Sequence, residues 1–124
     1  MPNGDYRDLV VWKKSFRLVL DVYAETSNFP GPERYGITSQ IRKAAVSIPS
    51  NIAEGQGRNS RGEFRHHLFI ALGSLKELET QLLLADALGY CRQWRLKKLL
   101  TSSAEVGRLI NGLTRFLTRT STNH

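Results

Sequence analysis

The chain has 124 residues, 40% of them hydrophobic and 23% charged, which suits one globular domain over residues 1–124 with its own hydrophobic core. Its apolar runs are far shorter than the roughly 18–20 residues of a membrane-spanning helix, and we expect no signal peptide and no membrane partner. A single cysteine, Cys91, excludes an internal disulfide bond, so we predict a soluble, cytoplasmic protein. The net charge of +7 favours polyanionic partners such as RNA or DNA.

The predicted elements begin with two amphipathic helices, in which apolar side chains recur at steps of three and four residues. The first is expected at residues 8–27, and the prolines and glycines of "SNFPGPERYG" end it. The second is expected at residues 33–54, where Gly55 would end it in a left-handed conformation. The predicted core stripes are Leu9, Trp12, Phe16, Val19, Leu20 and Tyr23 in the first helix, and Ile37, Ile41, Ala44, Ala45, Ile48 and Ile52 in the second.

Two more helices are predicted in the second half of the chain. Ser60 and Glu63 form a capping box at the start of the third, at residues 61–88, and Gly89 stops it. The fourth is expected at residues 93–118. Their core stripes are Phe64, Leu68, Ala71, Leu75, Leu78 and Leu82, then Leu99, Val106, Ile110, Leu113 and Leu117. Because no useful length alternates with a period of two, we predict an all-α fold, an up-down-up-down antiparallel four-helix bundle.

The second predicted helix contains Pro49, which has no N–H and leaves the carbonyl of Ala45 without its helical partner. We therefore predict a kink in this helix. Nearby polar side chains can form hydrogen bonds with the backbone groups that the proline leaves unpaired. Two interpretations stay open: the kink bends the helix around a neighbour, or it shapes an interface or binding surface. The structural motif predicted here comprises Ser47, Pro49, Ser50, Asn51, Glu54 and Gly55.

The third and fourth predicted helices carry more apolar residues than one core stripe needs. Surplus apolar flanks usually mark contact with another chain, although scattered exposed hydrophobic residues are also normal. We predict a homo-oligomer on this basis. Its predicted interface comprises Phe69, Ile70, Leu84, Leu88, Leu109 and Phe116.

Basic residues concentrate at the start of the third helix and along an outward stripe of the fourth. Such clusters suit phosphate contacts, and Tyr90 and Trp94 lie where they can stack on bases. Solvated surface charge, with Trp94 as a core anchor, is the alternative interpretation. The predicted nucleic-acid-binding residues are Arg58, Arg61, Arg65, His66, Lys97, Lys98, Arg108, Arg115 and Arg119.

No pattern in the sequence indicates catalysis. His66 and His67 are adjacent on a helix and point about 100° apart, so they do not bind one metal ion together. Cys91 is interpreted as a packing residue or an inert thiol. The loop "GQGRNSRG" lacks the lysine of a phosphate-binding loop. We predict no catalytic residue, no metal and no cofactor.

Two stretches, "FPGPERYGITSQIRKAAVSIPSNIAEG" and "FIALGSLKELE", form a long and unusual combination. With them, the region from Leu9 to Tyr90 resembles the bacterial four-helix-bundle proteins encoded in intervening sequences of 23S ribosomal RNA genes. That family includes the accessory variability determinant of diversity-generating retroelements. The resemblance implies a homopentamer without enzymatic activity. The retroelement relatives are thought to bind nucleic acid and a reverse transcriptase through a basic surface. The resemblance therefore implies the same partners here, or another protein in place of the reverse transcriptase.

The charge pattern and the resemblance lead to the same expectation of function. We expect a small cytosolic homopentamer, not an enzyme, that binds RNA or DNA through phosphate contacts. The alternative is an oligomeric scaffold or adaptor for a protein partner, without nucleic-acid binding.

Overall fold

The computed structural model describes residues 4–122, and within this range the chain forms four long helices and no strand. Each helix packs against the next one along the chain, and the last packs against the first. The predicted all-α four-helix bundle is therefore confirmed. No helix in the described part of the chain has the length and apolar character needed to cross a membrane. The four helices are α1 (Val10–Thr26), α2 (Ile37–Gln56), α3 (Arg61–Ala87) and α4 (Gln93–Thr122).

Local signals account for several helix ends. Ser60 caps α3, because its hydroxyl accepts a hydrogen bond from the Glu63 N–H at 3.0 Å. Gly89 has a φ of 83° just after α3, which confirms it as the predicted stop. Helix α2 starts at Ile37 and not at residue 33, because Gly31–Glu33 forms a separate 3₁₀ turn.

Gly55 has a different role from the predicted one. Helix α2 continues through it to Gln56, so the expectation that Gly55 ends the helix is wrong. A Cβ atom on Gly55 would lie 2.6 Å from the Cβ of His67 and 3.1 Å from Cδ1 of Phe64. Glycine is needed here because α2 and α3 approach too closely for any side chain.

Three of the four predicted core stripes are correct. All six predicted residues of α3 are buried, and in α2 and α4 only Ile37 and Leu113 remain partly buried. The predicted core face of α1 is only half correct. Leu9, Trp12 and Val19 are partly buried against the core, but Phe16, Leu20 and Tyr23 are 47%, 48% and 41% exposed. The buried face of α1 consists of Val11, Ser15, Leu18, Asp21, Val22, Glu25 and Thr26.

The polar residues on the buried face of α1 have hydrogen-bond partners. Glu25 is fully buried, and its carboxylate accepts bonds from the Arg92 N–H at 2.9 Å and from Nη2 of Arg92 at 3.0 Å. The Thr26 hydroxyl donates to the Val22 carbonyl at 2.8 Å and accepts from Nε of Arg42 at 2.9 Å. Because these bonds compensate for lost hydration, polar residues can occupy a face that apolar spacing alone does not reveal.

Pro49 lies inside α2, which extends on both sides of it, and the kink at this point stays a prediction. Polar side chains donate hydrogen bonds to carbonyl groups of the preceding turn. The Ser50 hydroxyl donates to the Val46 carbonyl at 2.8 Å, and the Asn51 amide donates to the Ser47 carbonyl at 2.9 Å. The backbone around the proline is thus supported from α2 itself.

Candidate nucleic-acid interface

The outward face of α4 carries a row of basic side chains. Lys97, Arg108 and Arg115 are exposed, and their spacings of 11 and 7 residues are close to whole numbers of helical turns. We call these three residues the α4 row. It extends about 27 Å along the helix at the usual rise per residue. Among the described residues, no carboxylate lies within ion-pair distance of the α4 row.

The surroundings of the α4 row are strongly basic. Residues 91–122 include seven Lys and Arg but only one acid, Glu105. Glu105 Oε2 lies 3.6 Å from Nζ of Lys14 on α1, so its charge is already partnered. A groove of about 460 Å³ follows the first part of the row and is lined in part by Lys97, Thr101 and Arg108. The local field therefore attracts anions, and the groove exposes the cations along its length.

Two further predicted residues flank the α4 row. Arg119 is exposed and continues the row, four residues after Arg115. Lys98 is also exposed, but as the neighbour of Lys97 it points about 100° away from the row. Phosphates that contact the row would therefore meet Arg119 before Lys98.

The basic residues at the start of α3 have partners within the chain. Arg58 Nη2 lies 3.9 Å from Glu54 Oε1, and Arg61 is partly buried. Arg65 donates from Nη1 to the carbonyl of Leu117 at 3.3 Å, which ties the start of α3 to the end of α4. This bond brings the two predicted basic clusters together. It also makes Arg65 a poor choice for a test of binding, since its loss affects the packing of the helices.

The two predicted stacking residues are engaged within the chain. Trp94 is 60% exposed, with the guanidinium carbons of Arg92 and Arg95 at 5.3 and 4.5 Å from its ring centroid. The Tyr90 hydroxyl donates to Glu33 Oε2 at 2.9 Å, and this hydrogen bond raises the pKa of Tyr90. Tyr90 therefore fastens the α1–α2 loop to the α3–α4 loop.

The polar motif of α2 links this helix to α3. Asn51 Oδ1 lies 3.1 Å from Nδ1 of His67, and its amide nitrogen lies 3.0 Å from the hydroxyl of Ser47. The Ser47 and Ser74 hydroxyls are 2.8 Å apart, and Glu54 Oε2 is 3.8 Å from Nδ1 of His67. These bonds and the close contact at Gly55 show that the motif packs two helices of one chain.

The reactive side chains weighed in the sequence are Cys91 and the two adjacent histidines of α3. Burial is the main cause that raises the pKa of the Cys91 thiol to about 11, and the carboxylates of Glu25 and Asp86 add to it. At neutral pH this thiol is protonated and a poor nucleophile. His66 is exposed, with its ring centroid 5.7 Å from that of His67. Within the described range, no three His, Cys, Asp or Glu residues are grouped so that they could hold a metal ion.

The predicted oligomer interface divides into two groups. Phe69, Ile70 and Leu84 on α3 are exposed by 75%, 38% and 53%, and Leu88 at its C-terminal end by 58%. Leu83 beside them is exposed by 52%. We call these five residues the α3 ridge. In contrast, Leu109 and Phe116 are partly buried and pack against the core of their own chain.

A second apolar surface escaped the sequence analysis, because its four residues from α1 were assigned to the core. It is a groove of about 340 Å³ between α1 and α2. The ring centroids of Trp12 and Phe16 are 5.0 Å apart, and those of Tyr6 and Trp12 are 5.4 Å apart. We call this surface the α1–α2 groove. It is lined by Tyr6, Trp12, Phe16, Val19, Leu20, Val46, Pro49, Ser50 and Ala53.

Comparison with known proteins decides the family. The family model described as 23S rRNA-intervening sequence protein matches residues 7–112. The chain belongs to this family. The predicted resemblance is thereby confirmed, and α1, α2, α3 and most of α4 lie inside the matched region.

A solved structure supports the fold of this family member. The crystal structure of a protein of unknown function from the S23 ribosomal protein family of Bacteroides thetaiotaomicron is 26% identical to the chain. The superposition has a TM-score of 0.76 and covers 85% of this chain and 98% of that one. No curated protein matches the chain.

Proposed function

We propose that this member of the family is a cytoplasmic, non-enzymatic protein that assembles as a homopentamer and binds RNA or DNA through phosphate contacts. The observation that carries the nucleic-acid part is the α4 row, whose three cations lie along about 27 Å of helix. Carboxylates of the chain do not neutralise them within the described residues. Free cations at such spacing gain affinity from the counterions that a nucleic acid releases on binding.

Two different apolar surfaces support assembly into a ring. The α3 ridge and the α1–α2 groove share no residue and belong to different helices. When one face of a copy packs against a different face of the next copy, the contact is heterologous, and it closes into a ring if the rotation allows. The number five comes from the family resemblance. A ring repeats the α4 row, so that weak contacts act together on one nucleic acid.

The nucleic-acid proposal is tested by binding to structured RNA and duplex DNA across a salt series. We expect affinity to fall steeply with salt for the natural sequence. Arg108→Glu with Arg115→Glu should weaken binding by at least tenfold and reduce the salt slope by about 2. The matched control uses single substitutions: Lys13→Glu, at an exposed position of α1 outside the α4 row, changes the net charge as much as Arg108→Glu alone but should weaken binding much less. Unchanged affinity after the α4 substitutions, with the fold intact by circular dichroism, would refute the proposed surface.

The ring is tested by light scattering. A pentamer of the 14.0 kDa chain has a mass of about 70 kDa. Phe69 is 75% exposed, so Phe69→Glu should break the assembly into smaller species without unfolding the protomer. Asn111→Asp also adds one negative charge, at an exposed position of α4 outside both apolar surfaces, and should leave the mass unchanged.

The α3 ridge also favours a second candidate function, a scaffold for a protein partner. This candidate applies if Phe69→Glu leaves the mass unchanged and the protein binds no nucleic acid at low salt. The ridge would then be an apolar surface without a role in self-assembly.

A further inference from the structure

A cleft lies between the end of α1, the loop that follows it and the first half of α2. Its volume is about 550 Å³, which is within the range of sites for small ligands. Its described lining has no Asp or Glu and three cationic residues, Arg34, Arg42 and Lys43. None of these three belongs to the predicted nucleic-acid-binding set, and none lies on α4. The rest of the lining is Tyr23, Tyr35, Thr38, Ser39, Val46 and Ser47.

Arg42 is held in place before any ligand arrives. Its Nε donates to the Thr26 hydroxyl at 2.9 Å, and its guanidinium carbon lies 4.4 Å from the ring centroid of Tyr23. Among the described residues no carboxylate pairs with Arg42. A guanidinium oriented by two contacts retains terminal N–H groups for a bidentate bond to phosphate.

Thr38 is the second observation that points to a ligand. It lines the cleft and is only 6% exposed, and its hydroxyl oxygen is buried without a hydrogen-bond partner among the described residues. Buried hydroxyl groups are normally hydrogen-bonded, so this one calls for an acceptor. A phosphate oxygen can supply that acceptor. The first backbone N–H of α2 needs no ligand, because the Ile37 N–H donates to Oε1 of Glu33 at 3.4 Å.

Tyr35 supplies a different kind of contact at the same cleft. Its side chain lines the cleft, yet the residue is 89% exposed. An aromatic ring presented to solvent beside cations is a platform on which a nucleobase can stack. The cleft therefore offers a phosphate site and a stacking surface within one ligand-sized volume.

We propose that this cleft binds a nucleotide unit, with its phosphate at Arg42, Lys43 and Thr38 and its base on Tyr35. The unit is either a free nucleotide or part of an unpaired stretch of nucleic acid, since both present the same chemistry. The inference does not rest on the proposed function, because the cleft and the α4 row share no residue.

The test uses the full chain and three probes: AMP, a six-nucleotide single-stranded RNA and inorganic phosphate. We expect AMP or the RNA to shift the amide NMR signals of residues 38–43. Tyr35→Ala and Lys43→Gln should each weaken this binding at least fivefold. Both positions are exposed, so neither substitution threatens the fold. Lys13→Gln removes the same charge outside the cleft and should change the affinity by less than twofold.

Each outcome of the titration decides for or against the cleft. If AMP and the RNA both bind, and Tyr35→Ala and Lys43→Gln weaken both, the cleft accepts a free nucleotide. If only the RNA binds, the ligand of the cleft is a single strand. The proposal is wrong if neither probe shifts residues 38–43. It is also wrong if inorganic phosphate binds as tightly as AMP and Tyr35→Ala has no effect. Arg108→Glu with Arg115→Glu should leave AMP binding intact, which separates failure here from failure of the α4 row.

Discussion

Replacement of Gly55 by alanine should force α2 away from α3. The added Cβ would lie 2.6 Å from the Cβ of His67, about 1 Å inside ordinary carbon–carbon contact. No rotamer of His67 relieves this contact, because a Cβ atom is fixed to the backbone. Overpacking of this kind costs about 3 kcal/mol, and the higher helix propensity of alanine returns about 1 kcal/mol. We expect a net loss of about 2 kcal/mol in the free energy of unfolding.

Gly73→Ala is the matched control. Gly73 lies in the middle of α3 and is exposed, and a methyl group added there would meet no neighbouring side chain within 4 Å. This substitution should stabilise the protein by about 1 kcal/mol, so the two variants should differ by about 3 kcal/mol. Urea denaturation followed by circular dichroism measures the difference, at equal protomer concentration because assembly adds to stability. If Gly55→Ala proves as stable as Gly73→Ala, the close approach of α2 and α3 is refuted.

Three further predictions concern stability and reactivity. Glu25→Gln should lower the free energy of unfolding by about 1–2 kcal/mol, because the charge-assisted bonds to Arg92 are lost. Glu77→Gln on the surface should have little effect in the same denaturation assay. Asn51→Ala should lower the free energy of unfolding by about 1–2 kcal/mol, because Asn51 loses its hydrogen bonds to α3 and to its own helix. Ser50→Ala should lower it less, since Ser50 is exposed, and equal losses would contradict this. The pKa of Cys91 is raised from 9.0 to about 11, so its thiol stays protonated at pH 8. It should therefore react with iodoacetamide about 100-fold more slowly than an ordinary thiol, and the rate should rise tenfold per pH unit up to about pH 11. A flat rate between pH 8 and 10 would contradict this.

The sequence reveals the core of a helix when one face is uninterrupted. On α3 the spacing from Phe64 to Leu82 predicts every buried position of that stripe. On α1 it misleads, because Glu25 is buried through bonds to Arg92, which is 67 residues away. No local pattern reveals such a partner. Four residues of the apolar stripe detected on α1, namely Trp12, Phe16, Val19 and Leu20, line the α1–α2 groove.

The candidate site follows the same physical logic. The α4 row is predictable from periodicity, because its residues share one face of one helix. The contact of Arg65 with the Leu117 carbonyl was not predictable, because the two residues are 52 positions apart in the sequence. The cleft near Arg42 was missed because two helices and a loop build it, although three basic residues within residues 34–43 gave a signal. The single domain over residues 1–124 and the pentamer stay predictions.

The buried carboxylate of α1 has a consequence for how the helices are aligned. Faces made of Leu, Ile and Ala tolerate a slip along the helix axis, because one methyl group replaces another at similar cost. A slip of one turn, about 5.4 Å, would instead separate Glu25 from the Arg92 N–H and leave a charge without a partner inside the protein. This contact therefore selects a single axial alignment of α1 and α4. In every copy of the chain, the basic residues of α4 then start at the same height along the bundle.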